Sequence, residues 1–156
     1  MACKIGYGTW GLGGIDYGSV SEKKAFQLVS YAFQKGINFF DTAPLYGNGQ
    51  SEKALGKLVS NIQRGSIKIC TKCGMQPHRG FKMKQNFSKK FIKQDIERSL
   101  ERLNTDYLDI VLLHSPNTIH DFNDLIDFLD NQKKKWYYKK HRYFLKITSG
   151  YKIFEL

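Results

Sequence analysis

Through residues 1–132, short apolar segments alternate with longer segments in which apolar residues recur every three or four positions. The short segments are typical of buried strands, and the longer ones are typical of amphipathic helices. The pattern predicts strands at residues 3–6, 37–40, 66–72 and 107–113. Helices are predicted to follow these strands, beginning near residues 21, 51, 88 and 122.

Residues at the ends of these segments support the predicted boundaries. Ser21 and Ser88 stand where a hydroxyl can cap the first turn of a helix, and Gly36 stands where the first helix can end. Pro44 ends the second strand, because proline has no N–H to donate to a neighbouring strand. The boundaries and the periodicity therefore indicate the same four strand–helix units.

Four successive units of this kind predict a parallel sheet, because a right-handed helical crossover returns the chain to a neighbouring strand. A barrel of eight units needs about 250 residues, whereas this chain has 156. We therefore predict an α/β fold: the amino-terminal half of a (β/α)8 TIM barrel, with about four βα units. Residues 1–132 are expected to form this partial barrel and residues 133–156 a tail.

The composition indicates a globular protein. With 41% hydrophobic and 25% charged residues, the chain can bury a core and differs from disordered sequences. Its apolar stretches are shorter than the roughly 18 residues of a membrane-spanning helix, and residues 1–25 lack the pattern of a signal peptide. Three cysteines do not suggest a disulfide framework. We expect a soluble, cytoplasmic protein without a membrane partner.

The net charge of +11 is concentrated in the tail. Residues 1–132 contain 17 Lys and Arg against 13 Asp and Glu, whereas residues 133–156 contain 8 against the single Glu155. This distribution disfavours nucleic acid as a partner of the main part of the chain. In the tail, basic residues interleaved with aromatic ones are also found in single-strand nucleic-acid arms and membrane-surface segments, but we favour neither interpretation.

Four chemically distinct side chains stand at or just beyond the predicted carboxyl ends of strands, where the functional residues of parallel α/β folds gather. They are Asp41, Tyr46, Lys72 and His114. Each also has a purely structural interpretation, respectively a turn cap, a surface aromatic residue, a solvated charge and a buried, hydrogen-bonded imidazole. Together, an acid, a phenol, an amine and an imidazole are expected to lie at one edge of the sheet.

Four segments resemble signatures of the aldo-keto reductases, in the same order and at the same separations. They are GYGTWGLGG, GINFFDTAPLYGNGQSEKALGKLV, TKCGM and IERSLERLNTDYLDIVLLHSP. The resemblance covers roughly residues 3–132. It implies an NADPH-dependent oxidoreductase that reduces aldehydes or ketones to alcohols, with a small carbonyl compound as its substrate.

The resemblance assigns a catalytic role to each of the four residues. Tyr46 is expected to donate a proton, Lys72 and Asp41 to be its electrostatic partners, and His114 to orient the substrate. The chemistry requires these residue types, because a carbonyl that receives a hydride becomes an alkoxide that must be protonated. A free phenol, with a pKa of about 10, is a weak acid. A neighbouring ammonium favours the phenolate and so strengthens that acid.

The resemblance also implies residues that contact ligands. Trp10 and His114 are expected to bind the substrate. The expected cofactor-binding residues are Gly8, Thr9, Trp10 and Asp41. No metal site is expected, because Cys70 and Cys73 have the spacing of half a zinc site but lack a second pair. We interpret both cysteines as packing residues.

From Trp136 onward the sequence does not resemble the family, whose later strands carry most of its cofactor contacts. Reading the codons one nucleotide later permits G-I-I-K-N-I-G-I-S-L-K-S-P, which resembles the family's fifth strand. We therefore hypothesise a frameshift near Lys135, and expect weak NADPH binding and no aldehyde reduction by this chain alone. The alternative function is a half-barrel binding or regulatory module that associates with another chain, or with itself, through open sheet edges.

The coding DNA tests the frameshift hypothesis. We predict that the shifted frame beyond Trp136 encodes further aldo-keto reductase sequence, because a single slip near Lys135 leaves the DNA that follows it unchanged. Sequencing of the locus checks this prediction. The hypothesis is wrong if the shifted frame contains no such sequence.

Overall fold

The computed structural model describes residues 5–14, 18–76, 84–116, 122–137, 148–149 and 152–153. Its strands, in chain order, are β1 (Tyr7–Gly8), β2 (Phe39–Asp41), β3 (Lys68–Cys73), β4 (Met75–Gln76), β5 (Lys84–Gln85), β6 (Ile110–Leu113), β7 (Thr148–Ser149) and β8 (Lys152–Ile153). The α-helices are α1 (Glu22–Gln34), α2 (Gln50–Val59), α3 (Lys89–Arg102) and α4 (Phe122–Tyr137).

One parallel sheet holds β1, β2, β3 and β6 in that order, and a helix follows each of these strands along the chain. The predicted alternation of strands and helices is therefore confirmed. The antiparallel pairs β4–β5 and β7–β8 were not predicted, because two-residue strands are too short to produce a hydrophobic period.

All four strands of the parallel sheet begin later than predicted: β2 starts at Phe39 rather than at residue 37, and β3 starts at Lys68 rather than at residue 66. β1 starts at Tyr7 because its ladder is set by β2, with Tyr7 opposite Phe40 and Gly8 opposite Asp41. The predicted residues 3 and 4 lie outside the described residues. β6 starts at Ile110 rather than at residue 107, and the carbonyl oxygen of Tyr107 accepts a hydrogen bond from the Arg64 side chain at 3.2 Å.

The predicted helix ends are confirmed by their hydrogen bonds. The Ser21 hydroxyl accepts the backbone N–H of Lys24 at 3.2 Å, and the Ser88 hydroxyl accepts that of Phe91 at 3.4 Å. Gly36 has a φ of +88°, a conformation that few residues other than glycine adopt, and it follows the end of α1. Local sequence therefore determines where α1 and α3 begin.

The core lies between the sheet and its helices. Thr71 of β3 is hydrogen-bonded to Glu52 of α2, so this face of the sheet is the one that the helices cover. The buried core residues include Val29, Phe40, Leu55, Ile69, Ile92, Ile96, Val111, Leu113, Leu125 and Leu129. Because side chains alternate along a strand, Asp41 and Lys72 lie on the opposite face. No described helix is long and apolar enough to cross a bilayer.

A buried carboxylate fixes β3 and β6 relative to each other at their amino ends. Asp109, which is 5% exposed, accepts hydrogen bonds from Arg64 at 2.7 Å, from the Lys68 ammonium at 3.0 Å and from the Ile69 backbone N–H at 3.0 Å. These donors lie before β3 or in its first two residues. The carboxyl ends of the strands are thus left for other contacts.

Gly56 allows α2 to approach the end of α3. We predict that Gly56→Ala lowers the free energy of unfolding by about 1–3 kcal/mol, the usual cost of overpacking. The added Cβ would lie 2.2 Å from the backbone oxygen of Arg102, which cannot move aside as a flexible side chain would. Urea denaturation measures the change.

The matched control is Gly65→Ala, because a Cβ at Gly65 would meet nothing within 4 Å. We expect this variant to stay within about 0.5 kcal/mol of the unmodified chain, as surface substitutions usually do. Equal stability of the two variants would contradict the close packing of α2 against α3.

Candidate active site

The Lys72 ammonium joins three of the groups at the carboxyl edge of the sheet. Its Nζ donates to the Asp41 carboxylate at 2.7 Å, to the Thr42 carbonyl at 3.0 Å and to the phenolic oxygen of Tyr46 at 3.1 Å. An ammonium has three hydrogens, so all of its donors are used. Because the Tyr46 oxygen accepts from Lys72, its own hydrogen is directed elsewhere and can be donated to a further acceptor.

Strand register brings three of the four predicted residues to the carboxyl edge of the sheet. Asp41 ends β2 opposite Cys70 of β3, so Lys72, two residues further along β3, projects from the same face. His114 directly follows β6, and its backbone N–H donates to the Cys73 carbonyl at 2.9 Å. The structure therefore brings Asp41, Lys72 and His114 to one edge of the sheet, as the sequence predicted.

Tyr46 reaches the same edge from a loop held by a contact between two glycines. Gly47 has a φ of +64°, and a Cβ on it would lie 2.4 Å from the backbone oxygen of Gly13. A Cβ on Gly13 would lie 2.5 Å from the Gly47 nitrogen. The loop after β1 can therefore lie against the Tyr46 loop only because neither residue carries a side chain.

Two aromatic rings flank the Tyr46 phenol. The Trp10 ring stacks on it with centroids 6.4 Å apart and planes 26° apart, and the His114 ring meets it edge-on at 6.1 Å. Trp10 is 51% exposed, so about half of its surface remains accessible. The two predicted substrate-binding residues thus both lie next to the predicted proton donor.

The pKa values of Lys72 and His114 are shifted in opposite directions. Burial alone would lower the pKa of Lys72, but the hydrogen bonds to Asp41 and Tyr46 and the charges of those groups raise it above its usual value. Burial, reinforced by the Lys72 ammonium, lowers the pKa of His114 to about 4 although Asp41 opposes this change. At neutral pH the lysine is charged and the imidazole is neutral.

The surroundings of His114 also indicate its tautomer. Its Nδ1 is buried and has no hydrogen-bond partner among the described residues. A buried N–H without an acceptor is rarer and more costly than a buried acceptor without a donor. The neutral ring therefore carries its hydrogen on Nε2.

The predicted cofactor-binding residues fall into two groups. Thr9 is fully buried, and both its N–H and its hydroxyl donate to the Asp41 carbonyl, so its side chain joins β1 to β2. By contrast, a Cβ on Gly8 would meet nothing within 4 Å, and the side chain of Asp41 is 36% exposed. Space and an acceptor are thus available beside Gly8, Trp10 and Asp41.

Gly6, Gly8 and Gly11 have the spacing G-x-G-x-x-G, which is found in dinucleotide-binding proteins at the start of a helix. Here the glycines lead into a short 3-10 helix, Trp10–Gly13, whereas α1 begins only at Glu22. The structural context of that motif is therefore different, and the spacing does not indicate a Rossmann site.

Two residues that support the site were not predicted. The Gln50 side chain donates to the carbonyls of Leu12 at 2.7 Å and of Val20 at 2.8 Å, and the Ser51 hydroxyl donates to that of Thr9 at 2.9 Å. Both residues hold the loop after β1 against α2. In the sequence they are simply polar positions at the start of a helix, so no local signal distinguishes them.

The two cysteines of β3 are free and buried. Burial is the main cause that raises the pKa of Cys70 to about 12, and burial also raises the pKa of Cys73. Both thiols are therefore protonated and unreactive at neutral pH. Among the residues that the structure describes, no group of three or more metal-ligating side chains is present.

A parallel α/β sheet with an acid, an amine, a phenol and an imidazole at its carboxyl edge defines the class: an α/β protein with a site at the carboxyl ends of its strands. Residues 4–135 match the family model of the Aldo/keto reductase family. The chain belongs to this family, which confirms the resemblance found in the sequence.

Individual relatives agree with this assignment. The chain is 34% identical over 119 residues to aldo-keto reductase YhdN of Bacillus subtilis (strain 168). The aligned segment covers 76% of this chain and 36% of the relative. It is 43% identical over 112 residues to L-galactose dehydrogenase of Arabidopsis thaliana. This aligned segment covers 70% of this chain and 33% of the relative. The chain thus spans about a third of the length of these two relatives.

Solved structures confirm the fold class. The holo form of aldo-keto reductase AKR11C1 from Bacillus halodurans matches with a TM-score of 0.73 at 32% identity, over 92% of this chain and 46% of that one. A putative aldo-keto reductase from Pseudomonas aeruginosa matches with a TM-score of 0.68 at 34% identity and is covered to 50%. The matched part is about half of a barrel, as predicted.

The titration of His114 tests the electrostatics of the site. We predict that its imidazole titrates near pH 4, because burial and the Lys72 ammonium disfavour the protonated ring. Proton NMR of the ring hydrogens measures the midpoint, and the signal is assigned by its loss in His114→Gln. A midpoint near the ordinary histidine value of about 6.5 would contradict the burial of the ring.

Lys72→Met is the companion variant. It removes the Lys72 ammonium, the second cause of the lowered His114 pKa, so the titration midpoint should rise. The midpoint should stay below its usual value because the ring remains buried. The lowered pKa also makes stability depend on pH. The unfolded chain, in which the imidazole has its ordinary pKa, binds this proton at a higher pH than the folded chain does. The free energy of unfolding therefore decreases as the pH falls below about 6.5. His114→Gln should remove that part of the pH dependence.

Proposed function

We propose that this chain carries the proton-donating side of an oxidoreductase site that reduces an aldehyde or a ketone to an alcohol with a nicotinamide cofactor, NADPH. One observation carries the proposal: the phenolic oxygen of Tyr46 accepts a hydrogen bond from the Lys72 ammonium at 3.1 Å. Membership of the Aldo/keto reductase family, whose members include dehydrogenases and reductases, supports the reaction type.

Tyr46 protonates the substrate oxygen in this proposal. When bound, the cofactor supplies a hydride to the carbonyl carbon, and the electron pair of the C=O bond moves to oxygen. The Tyr46 O–H bond then breaks and its proton passes to that oxygen, which completes the alcohol and leaves a phenolate. The Lys72 ammonium, 3.1 Å away, stabilises the phenolate charge.

Asp41 and His114 have supporting roles. The Asp41 carboxylate, 2.7 Å from the Lys72 nitrogen, favours the charged form of the lysine. His114 is neutral and carries its hydrogen on Nε2, so it is suited to donate a hydrogen bond to the substrate oxygen without competing as an acid. The phenol therefore remains the proton source.

Gly8, Trp10 and Asp41 would hold the nicotinamide end of the cofactor. The open space at Gly8 and the accessible Asp41 carboxylate support this assignment. Thr9 would act indirectly, because its hydroxyl fixes the Asp41 backbone at 3.0 Å. Trp10 would also line the substrate pocket together with His114, since both rings flank Tyr46.

A second candidate function, a half-barrel binding module, is favoured by a different observation. Phe39, Ile110 and Leu112 are only half-buried, and the strand register places them on the face of the sheet opposite the helices. Such a face could pack against another chain or a second copy. Association through this face would not require the Tyr46 hydroxyl, so the variant below separates the two functions.

The test uses residues 4–135 of this chain joined to the part of aldo-keto reductase YhdN that follows the matched segment. We predict that this fusion reduces a generic aldehyde with NADPH, and that Tyr46→Phe lowers kcat at least about 100-fold, the usual contribution of a general acid. NADPH absorbance measures turnover. The unfused chain should show none, because holding the hydride donor is worth roughly 7–11 kcal/mol of barrier.

The matched control is Tyr31→Phe, which removes the hydroxyl of an exposed tyrosine on α1 and should leave kcat unchanged. The proposal fails if the fusion is active and Tyr46→Phe retains that activity. Reduction by the unfused chain that Tyr46→Phe abolishes would instead show that the 156 residues suffice for catalysis.

A further inference from the structure

A fully buried carboxylate lies behind the site and takes no part in the proposed chemistry. Glu52, in the first turn of α2, is 0% exposed. One of its oxygens accepts from the Thr71 hydroxyl at 2.6 Å and the other accepts from Arg102 Nε at 2.6 Å. Well-packed apolar residues often stabilise a core as well as a buried ion pair does, so stability alone is weak support for its presence.

The hydrogen bond between Glu52 and Thr71 joins the two segments that carry the central pair of the site. Thr71 directly precedes Lys72 in β3 and projects to the helix side of the sheet, while Lys72 projects to the site. Glu52 belongs to the helix that follows Tyr46, and the Ser51 N–H donates to the Tyr46 carbonyl at 3.3 Å. The Glu52–Thr71 hydrogen bond therefore connects the helix that follows Tyr46 to the strand that carries Lys72.

Arg102 extends this link to the turn between Tyr46 and α2. Gly49, which has a φ of +90° and precedes α2, is covered by the Arg102 side chain: a Cβ on Gly49 would lie 2.5 Å from Arg102 Cδ. Arg102 also donates to the Ser99 hydroxyl at 3.2 Å within α3. The same guanidinium thus contacts the turn, the carboxylate and α3.

We propose that Glu52 and Thr71 are positioning residues, which hold Tyr46 and Lys72 at hydrogen-bonding distance from the rear of the sheet. The Lys72 side chain is long, and its contact with Tyr46 is already 3.1 Å, near the upper end of the range for a good hydrogen bond. A movement of α2 away from β3 would lengthen this contact further. This inference deepens the proposed function and rests on it for its importance to catalysis.

The test reads the Tyr46–Lys72 contact itself and does not require turnover. The full 156-residue chain is labelled with tyrosine carrying 13C at Cζ, whose resonance responds to hydrogen bonding at the phenolic oxygen. Tyr46→Phe assigns the signal, and Lys72→Met shows where it moves when the ammonium is absent. Absence of aldehyde reduction by the fusion described above would therefore count against the proposed function and leave this measurement intact.

We expect Thr71→Val, which keeps the shape and removes the hydroxyl, to move the Tyr46 signal towards its position in Lys72→Met. Thr71→Ser, which restores a hydroxyl, should return the signal to its original position. Ser99→Ala is the matched control: it removes a hydroxyl from the same network, leaves the Glu52–Thr71 bond in place and should not move the signal.

Three outcomes would overturn the inference. The first is an unmoved signal in Thr71→Val, and the second is an equal movement in Ser99→Ala, which would indicate a general structural effect. Thr71→Ala replaces Thr71→Val if the valine variant does not fold. The third outcome is that neither hydroxyl-free variant folds while Ser99→Ala does. The Glu52–Thr71 hydrogen bond then serves the stability of the fold and not the geometry of the site.

Discussion

Parallel pairing of β2, β3 and β6 is the constraint on which the rest of the site depends. In a parallel sheet all strands end at the same edge, and residues in register project from the same face. Asp41 and Lys72 therefore meet without any long loop to bring them together, and His114 follows at the end of the next strand. Only Tyr46 needs a loop, and two glycines in backbone contact hold that loop.

The site keeps one cation and one neutral base close together. Hydrogen bonds to Asp41 and Tyr46 favour the charge on Lys72, whereas burial and the same ammonium disfavour a charge on His114. The two side chains therefore differ in protonation state chiefly because Asp41 and Tyr46 offset the effect of burial at Lys72, whereas burial dominates at His114. In the proposed reaction this difference leaves the phenol as the acid and the imidazole as a neutral hydrogen-bond donor.

Features that depend on a few consecutive residues could be predicted from the sequence. Ser21 and Ser88 cap their helices, and the four proposed catalytic residues could be found because each stands at or just beyond a strand end. Features that depend on contacts between distant parts of the chain could not be predicted. The start of β1 is set by β2, and the bonds of Glu52 join residues 19 and 50 positions apart in the chain. A sequence pattern carries no information about such partners.

The saturation of the Lys72 ammonium has a consequence for the proposed reduction of aldehydes. A neutral amine beside an aldehyde attacks it and forms an imine, which would trap the substrate covalently. Attack requires the nitrogen lone pair, and Lys72 has none while it is protonated and donates all three hydrogens. The hydrogen bonds that make the lysine useful to Tyr46 therefore also prevent it from acting as a nucleophile.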